Sequence, residues 1–125
     1  MKEKFLICEA CGNLIGRIHD SGVEMLCCGQ PMEELAANST DAASEKHVPA
    51  VAYNGGVIQV KVGEAEHPMT EEHHITWVYL ETERGGQRKR LKPGEKPELS
   101  FSLSDDKALA VYAYCNKHKL WKATL

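Results

Sequence analysis

Apolar and polar residues alternate in short runs from residue 48 to the end of the chain. Residues 48–53 and 57–62 flank an Asn-Gly-Gly sequence, a combination typical of a β-hairpin. Residues 74–83 alternate in the same way, and shorter runs follow at residues 87–91, 99–103, 108–114 and 120–125. About seven short strands separated by turn residues, without helical periodicity, predict an all-β protein built on an antiparallel β-sandwich.

The first 37 residues differ from the rest because they contain four of the five cysteines. Apolar runs at 5–7 and 14–18 predict small strands, but so short a segment buries too little apolar surface to fold by itself. A bound metal ion supplies the missing stability in small domains of this kind. Residues 38–46 are small and polar, and we interpret them as a linker. The sequence therefore predicts two domains, residues 1–37 and residues 38–125.

Composition and charge exclude several functions. The net charge is −3 and no basic stripe is present, which argues against nucleic-acid binding. The longest apolar runs are too short to cross a membrane, and the N-terminus lacks the apolar segment of a secretory signal. We therefore expect a cytoplasmic protein with neither a nucleic-acid nor a membrane partner. Thiols stay reduced in that compartment, where clustered cysteines bind metals or act in catalysis.

The N-terminal cysteines form one candidate metal site. Cys8 and Cys11 are three residues apart, so both can hold one ion from a tight turn. The second pair, Cys27 and Cys28, is adjacent, and neighbouring residues of an extended strand point to opposite faces. Both reach one ion only if the backbone bends sharply, which Gly29 favours. We therefore expect a distorted tetrahedral site, whose spacing fits zinc and iron equally well.

A second candidate metal site is scattered through the predicted sandwich. Loops at one end of a sandwich converge, so residues in them can meet around one ion. Imidazoles with one thiolate suit iron, copper or zinc. Blue copper is an alternative, but it requires a methionine shortly after the last histidine, and none follows His118. One sulfur site and one mainly imidazole site indicate a redox protein. The residues of the second set are His47, His67, His73, Cys115 and His118.

Four motifs contain the residues of this second set or lie between them. They are Glu45-Lys46-His47-Val48-Pro49, His67-Pro68-Met69-x-x-x-His73, Leu91-Lys92-Pro93-Gly94 and Tyr114-Cys115-Asn116-x-His118-x-Leu120-Trp121. Together they resemble the superoxide reductase family, and the four N-terminal cysteines match its two-iron form, desulfoferrodoxin. The resemblance implies a homodimer with a small desulforedoxin-like N-terminal domain around an Fe(Cys)4 site. An immunoglobulin-like β-sandwich that carries the active iron would follow.

The resemblance also implies a role for each site residue by its position. Cys115 would be the axial thiolate ligand of the active iron. Lys46 would attract superoxide, and Glu45 would close the sixth position when the iron is ferric. The implied cofactors are two iron ions per chain, one Fe(Cys)4 and one Fe(His)4(Cys). The implied ligands of the first are Cys8, Cys11, Cys27 and Cys28, and the equatorial ligands of the second are His47, His67, His73 and His118.

The implied reaction is the one-electron reduction of superoxide to hydrogen peroxide without O2 release, as a defence against oxidative stress. The electrons would come from a small donor protein such as a rubredoxin. Two residues depart from the usual pattern of the family. His74 stands where Tyr or Trp is common, and Lys119 stands where Gly is common. Neither is a ligand position, so the departures concern the surface around the site and not the class of reaction.

The residues themselves leave two other functions open. One is a non-enzymatic electron carrier in which both irons shuttle electrons, and the other is a zinc-stabilised binding module. Glu45 and Lys46 also have a simpler interpretation as a solvated charge pair in a linker. Visible absorbance and metal analysis separate the functions, because a colourless zinc protein contradicts both redox interpretations.

Overall fold

The computed structural model describes residues 4–125, which consist almost entirely of β-strands and confirm the all-β fold class. The chain divides into two compact units, of which one ends at Ala36 and the other is Ala37–Leu125. The one helix of the described part is neither long nor apolar enough to cross a membrane. The elements are β1 Lys4–Ile7, β2 Leu14–Arg17, β3 Leu26–Cys27, β4 Gln30–Pro31, β5 Glu33–Glu34, α1 Ser44–His47, β6 Pro49–Asn54, β7 Val57–Val62, β8 Ile75–Thr82, β9 Gly85–Arg90, β10 Glu98–Ser102, β11 Ala108–Cys115 and β12 Lys119–Thr124.

The first unit has almost no hydrophobic core. β1 lies between β2 and β5 in a three-stranded antiparallel sheet, and β3 and β4 form a separate two-stranded ribbon. Among residues 4–36 the only buried side chains are those of Phe5, Leu6 and Cys8. So small a core does not offset the conformational entropy lost on folding, so the unit depends on another source of stability.

The second unit is a β-sandwich of two antiparallel sheets. One sheet has the strand order β10-β7-β6, and the other has the order β12-β11-β8-β9. Buried and exposed positions alternate along β7, so that Ile58, Val60 and Val62 lie in the core. They belong to one buried cluster with apolar residues of the four-stranded sheet, among them Leu80 and Val111. The sandwich predicted from the alternating pattern is therefore confirmed.

The segment that we interpreted as a linker belongs to the second unit. Asn38 donates its main-chain N–H to the Leu120 carbonyl at 3.0 Å. Its side-chain amide donates to the Lys122 carbonyl at 3.1 Å and accepts from the Lys122 N–H at 2.8 Å. α1 follows as a single turn, in which the Val48 N–H donates to the Ser44 carbonyl at 2.9 Å. The sequence predicted no helix because one turn is too short to show a 3.6-residue period.

Candidate metal centres

The four N-terminal cysteines converge, and their sulfur atoms all lie within 4.8 Å of one another. Cys8 and Cys11 lie on the turn after β1. The turn is closed by the Gly12 N–H, which donates to the Cys8 carbonyl at 2.7 Å. Gly12 has a φ of +84°, a left-handed conformation that glycine adopts without steric cost. A tight turn therefore presents the first two sulfurs.

A second tight turn presents the adjacent pair. Cys27 pairs with Gln30 in the β3–β4 ribbon, so Cys28 and Gly29 form a two-residue loop. Both loop residues have positive φ, +53° and +73°, as in a type I′ hairpin turn. The chain reverses direction at Cys28, which allows both sulfurs to face the same point. This is the sharp bend that two adjacent ligands require.

The sulfur cluster needs a cation before all of its thiols can ionise. The Cys11 N–H donates to the Cys8 sulfur and is the largest cause of its lowered pKa, about 7. The hydrogen bond with Cys11 raises the pKa of Cys28 to about 12, and it is the main cause of the raised pKa of Cys27. Ionisation of one thiol therefore suppresses that of its neighbours, mainly because they keep their protons to donate hydrogen bonds to the thiolate and, as a smaller effect, because like charges repel. A bound cation removes this repulsion, and a set of thiolates alone suits iron or zinc.

Four histidines and one cysteine converge at the end of the sandwich where β11 turns into β12. The donor atoms of His47, His67, His73 and Cys115 all lie within 4.8 Å of one another. His118 joins them, since its Nδ1 lies 3.1 Å from His47 Nε2 and 3.9 Å from Cys115 Sγ. His47 and His67 are each 2% exposed, and Cys115 is 0% exposed. The structure therefore brings together all five residues of the second set.

Hydrogen bonds determine which ring nitrogens face the centre of this cluster. His47 Nδ1 lies 2.7 Å from the Ala43 carbonyl, and His67 Nδ1 lies 2.7 Å from the Pro68 carbonyl. A carbonyl only accepts, so Nδ1 of each ring carries the proton and Nε2 keeps a lone pair that can bind a metal ion. The Nε2 atoms of His67 and His73 are buried and have no hydrogen-bond partner in residues 4–125. Leaving such atoms unpaired is costly, whereas binding a metal ion satisfies them.

Burial keeps three of these histidines neutral near pH 7. It lowers the pKa of His67 to about 4, and it is the main cause of the lowered pKa of His47 and His73. Burial also raises the pKa of the Cys115 thiol, an effect opposed by main-chain N–H groups of the β11–β12 turn. Neutral imidazoles are ready to bind a metal ion, whereas the thiol must first release its proton. The donor set fits iron, copper or zinc.

Two residues support the cluster but were not identified as functional from the sequence. Trp121 is buried, and its ring stacks on that of His47 at a centroid distance of 4.7 Å. Its Nε1–H donates to the His118 carbonyl at 2.9 Å. Gly63 packs so closely on α1 that an added Cβ would lie 2.5 Å from the Glu45 carbonyl oxygen. Trp121 is the last residue of the motif that begins at Tyr114, whereas no sequence pattern indicates a role for Gly63.

The remaining predicted residues lie around the cluster. Glu45 and Lys46 are exposed residues of α1, next to the buried His47. The ring of His74 is not part of the donor set, and its buried Nδ1 has no hydrogen-bond partner within the described chain. Lys119 has a φ of +62°, a left-handed conformation that costs a residue with a Cβ about 1–2 kcal/mol. That cost explains why glycine is favoured at such a position.

Comparisons with known proteins place these two sites in context. The family model of desulfoferrodoxin matches residues 39–124. The desulfoferrodoxin of Syntrophotalea carbinolica is 44% identical over 125 residues, which cover 98% of this chain and 98% of that protein. The solved superoxide reductase of Treponema pallidum superposes with a TM-score of 0.83 and 36% identity, covering 99% of this chain and 100% of its own. The superoxide reductase of Giardia intestinalis, designated 1Fe-SOR, has a TM-score of 0.56 and 31% identity and covers 65% of this chain and 97% of its own.

Proposed function

The chain belongs to the desulfoferrodoxin family, and on that premise we propose that it is a superoxide reductase. It reduces superoxide by one electron to hydrogen peroxide, releases no O2 and serves in defence against oxidative stress. The observation that carries this proposal is the convergence of four imidazoles and one cysteine sulfur at one end of the sandwich. Two of the converging ring nitrogens, Nε2 of His67 and Nε2 of His73, are buried and lack a hydrogen-bond partner in residues 4–125. The similarity to two solved superoxide reductases supports it.

The two donor sets of the chain match the two iron centres of desulfoferrodoxin. When bound, the iron of the second centre supplies the electron that reduces superoxide. Burial keeps three of its imidazole ligands, His47, His67 and His73, neutral, and the thiolate adds the one negative charge of the set. The ligands in this proposal are Cys8, Cys11, Cys27 and Cys28 for the first centre, and His47, His67, His73, Cys115 and His118 for the second.

The proposal divides the protein between two tasks. Residues 1–37 hold the Fe(Cys)4 centre, which stabilises a unit that has almost no core of its own. Residues 38–125 hold the second centre and react with superoxide. A solved superoxide reductase that covers only 65% of this chain supports this division.

Charged side chains next to the second centre guide the substrate in this proposal. Superoxide is a small anion, and the net charge of −3 repels it weakly. Lys46 provides a positive charge beside His47, and a local cation raises the rate of encounter with an anion. Lys117 adds a second one, which contributes to the lowered pKa of His73 after the larger effect of burial. Glu45, in the same helical turn as His47, would offer a carboxylate as a further ligand to the oxidised metal.

We expect Lys46→Ala to slow the reaction of the reduced protein with superoxide about tenfold at low ionic strength, because the variant loses the charge that steers the anion. The difference from the unmodified protein should shrink with added salt, since the Debye length is about 10 Å at 0.1 M. Pulse radiolysis gives the second-order rate constant. The absorption spectrum should be unchanged, because Lys46 is not a ligand in the proposed site.

Lys107→Ala is the matched control for this variant. Lys107 is exposed and precedes β11, whereas Cys115 ends that strand, so the two lie about 26 Å apart along it. At that distance salt screens the lysine charge, and the rate constant should stay within about 30% of that of the unmodified protein. Equal losses in both variants would mean that net charge matters and that Lys46 does not steer superoxide.

The stoichiometry of the reaction tests the proposed function directly. A reductase consumes one electron and two protons for each superoxide and yields one hydrogen peroxide. A dismutase needs no outside electron and yields one O2 for every two superoxide ions. We expect the fully reduced protein to give peroxide without O2, and turnover to stop when the reductant is exhausted. Simultaneous measurement of O2 and peroxide distinguishes the two reactions. Sustained O2 release without an electron donor would make the protein a dismutase.

Continued turnover requires an outside source of electrons, and we propose a small electron-transfer protein such as a rubredoxin for this role. We further propose that the protein is a homodimer and acts in the cytoplasm. These proposals rest on the desulfoferrodoxin family to which the chain belongs, and the two donor sets of the chain match the two iron centres of desulfoferrodoxin. Sedimentation equilibrium of the iron-loaded protein tests the dimer, and reoxidation of reduced rubredoxin in the presence of superoxide tests the donor.

A further inference from the structure

Asn116 links two parts of the second centre that are distant in sequence. It follows Cys115 in the turn between β11 and β12. Its main-chain N–H donates to the His74 carbonyl at 3.2 Å. Its side-chain Oδ1 accepts from the His74 N–H at 2.9 Å, and its Nδ2 donates to the Glu72 carbonyl at 3.0 Å. These three hydrogen bonds end on either side of His73, one of the residues with a buried, unpartnered Nε2.

The side chain of Asn116 forms a hydrogen bond to the segment before β8 at the point where the regular pairing of β8 and β11 ends. β8 and β11 pair regularly from Ala110 to Tyr114, and the register shifts between Tyr114 and Cys115. Beyond the shift the His74 N–H bonds to a side-chain oxygen instead of a main-chain carbonyl. The main chain therefore turns back after Asn116, and this turn carries His118 into the same cluster as Cys115.

The His73 ring packs edge-on against the rings of His67 and His118, at centroid distances of 4.8 and 5.0 Å, but it lacks the hydrogen bond that fixes two of the other rings. His47 and His67 each have an Nδ1 bonded to a carbonyl, whereas the His73 ring has no such bond in the part of the chain described. Thr70 closes the local turn through its hydroxyl, which lies 3.2 Å from both the N and the O of His73. That contact shapes the turn but does not fix its position relative to the thiolate. The bonds from Asn116 hold the turn that contains His73 at a fixed position relative to Cys115.

We infer that Asn116 is a positioning residue that holds the His73 ligand in register with the Cys115 thiolate. This inference rests on the proposed function only for the identity of the metal, because the hydrogen bonds belong to the protein alone. A side-chain amide is suited to the role, since it offers one acceptor and two donors in a plane. A carboxylate would keep the acceptor for the His74 N–H but would repel the Glu72 carbonyl. The methyl group of alanine would form neither of the two side-chain hydrogen bonds.

The test compares Asn116→Ala and Asn116→Asp in the full chain. With both centres loaded we expect Asn116→Ala to speed exchange of the His74 amide hydrogen at least about tenfold. In the iron-loaded protein it should weaken iron binding at the second centre about 10–100-fold, as loss of residues that orient ligands does. The thiolate-to-iron absorption band should shift as well. Asn116→Asp keeps the bond to His74, so the His74 amide should exchange as slowly as in the unmodified protein. Its affinity for iron should lie between those of the unmodified protein and Asn116→Ala.

Three further measurements isolate the positioning role. The spectrum of the four-cysteine centre should be the same in all variants and reports that the protein is folded. Asn54→Ala, at an exposed asparagine that ends β6, should leave both centres unchanged. Thr70→Val removes the local hydroxyl bonds but keeps those of Asn116, and it should weaken iron binding less than Asn116→Ala does.

Two results would overturn the inference. One is an Asn116→Ala variant that binds iron with unchanged affinity and an unchanged band although its His74 amide exchanges faster. The other is a Thr70→Val variant with an equal loss of affinity, which would make any disturbance of the loop sufficient. If Asn116→Ala does not fold, an Asn116→Asp variant with unchanged affinity and band overturns it too. None of these measurements uses superoxide, so they stand even if the protein proves to have a different reaction.

Discussion

Replacing Cys115 by serine should abolish the thiolate-to-iron absorption band of the second centre and slow superoxide reduction about a hundredfold or more. Cys115 is 0% exposed, and burial already raises the pKa of its thiol. A serine hydroxyl ionises far less readily than a thiol, so at this buried position it stays neutral. The centre then loses the only anionic ligand of the proposed set and with it much of its affinity for iron. Visible absorption, iron content and the single-turnover rate constant measure the three effects.

The reciprocal variant Cys11→Ser is the matched control. The Cys11 sulfur lies 3.6 Å from the Cys27 sulfur in the four-cysteine cluster, so the serine variant should lose the spectrum of that centre. Its melting temperature should fall because metal binding to a site absent from the unfolded chain adds to the free energy of unfolding. The pre-reduced variant should still react with superoxide at the normal rate. A Cys115→Ser protein that keeps its band would show that Cys115 is not the ligand.

The sequence predicted the elements whose signals are local. Alternating burial in β7 follows from its alternating sequence, and the loop before it was visible as an Asn-Gly-Gly turn. The metal ligands were visible for a different reason, because cysteine and histidine are chemically distinctive wherever they stand. The bend at Cys28 followed from simple geometry, since two adjacent ligands of one ion require it.

Features that depend on contacts between distant segments could not be predicted in this way. α1 is a single turn inside a polar segment, and its position depends on packing against Gly63. The role of Asn116 depends on the Glu72 carbonyl that lies opposite it, and the role of Trp121 depends on the distant His47 ring against which it stacks. The shift in register between β8 and β11 likewise depends on the paired strand and leaves no periodic signal. Sequence patterns thus predicted the residues that converge as candidate ligands but not the residues that hold them in place.

Gly63 should be a position outside the ligand set where a single methyl group has a large effect on both stability and the second centre. An added Cβ would lie 2.5 Å from the Glu45 carbonyl oxygen, 2.8 Å from the Lys46 carbonyl carbon and 3.0 Å from the Val48 carbonyl oxygen. All three are main-chain atoms, which cannot turn aside as the end of a flexible side chain can. Gly63→Ala must therefore displace α1 or the segment that contains residue 63. The expected cost is about 1–3 kcal/mol of unfolding free energy, as for other overpacked buried sites.

The displacement should also reach the second centre, because ligands lie on both sides of the contact. α1 ends at His47, and the segment after Gly63 leads to His67, whose N–H donates to the Val62 carbonyl at 3.1 Å. We expect the melting temperature of Gly63→Ala to fall by roughly 5–20 °C, given about 4–8 °C per kcal/mol for a domain of this size. The band of the second centre should shift, while that of the four-cysteine centre should not.

Gly16→Ala is the control for the added methyl group. Its Cβ would meet the Phe5 ring at 3.6 Å, an ordinary van der Waals contact, so its unfolding free energy should change by no more than about 0.5 kcal/mol. The comparison separates close main-chain packing from the general effect of replacing glycine in a folded protein. If Gly63→Ala melts at the same temperature as the unmodified protein and keeps both spectra, the approach of Gly63 to α1 does not position the ligands. A shift of the second band without loss of stability would mean that the added methyl group moves the ligands at little cost to the fold.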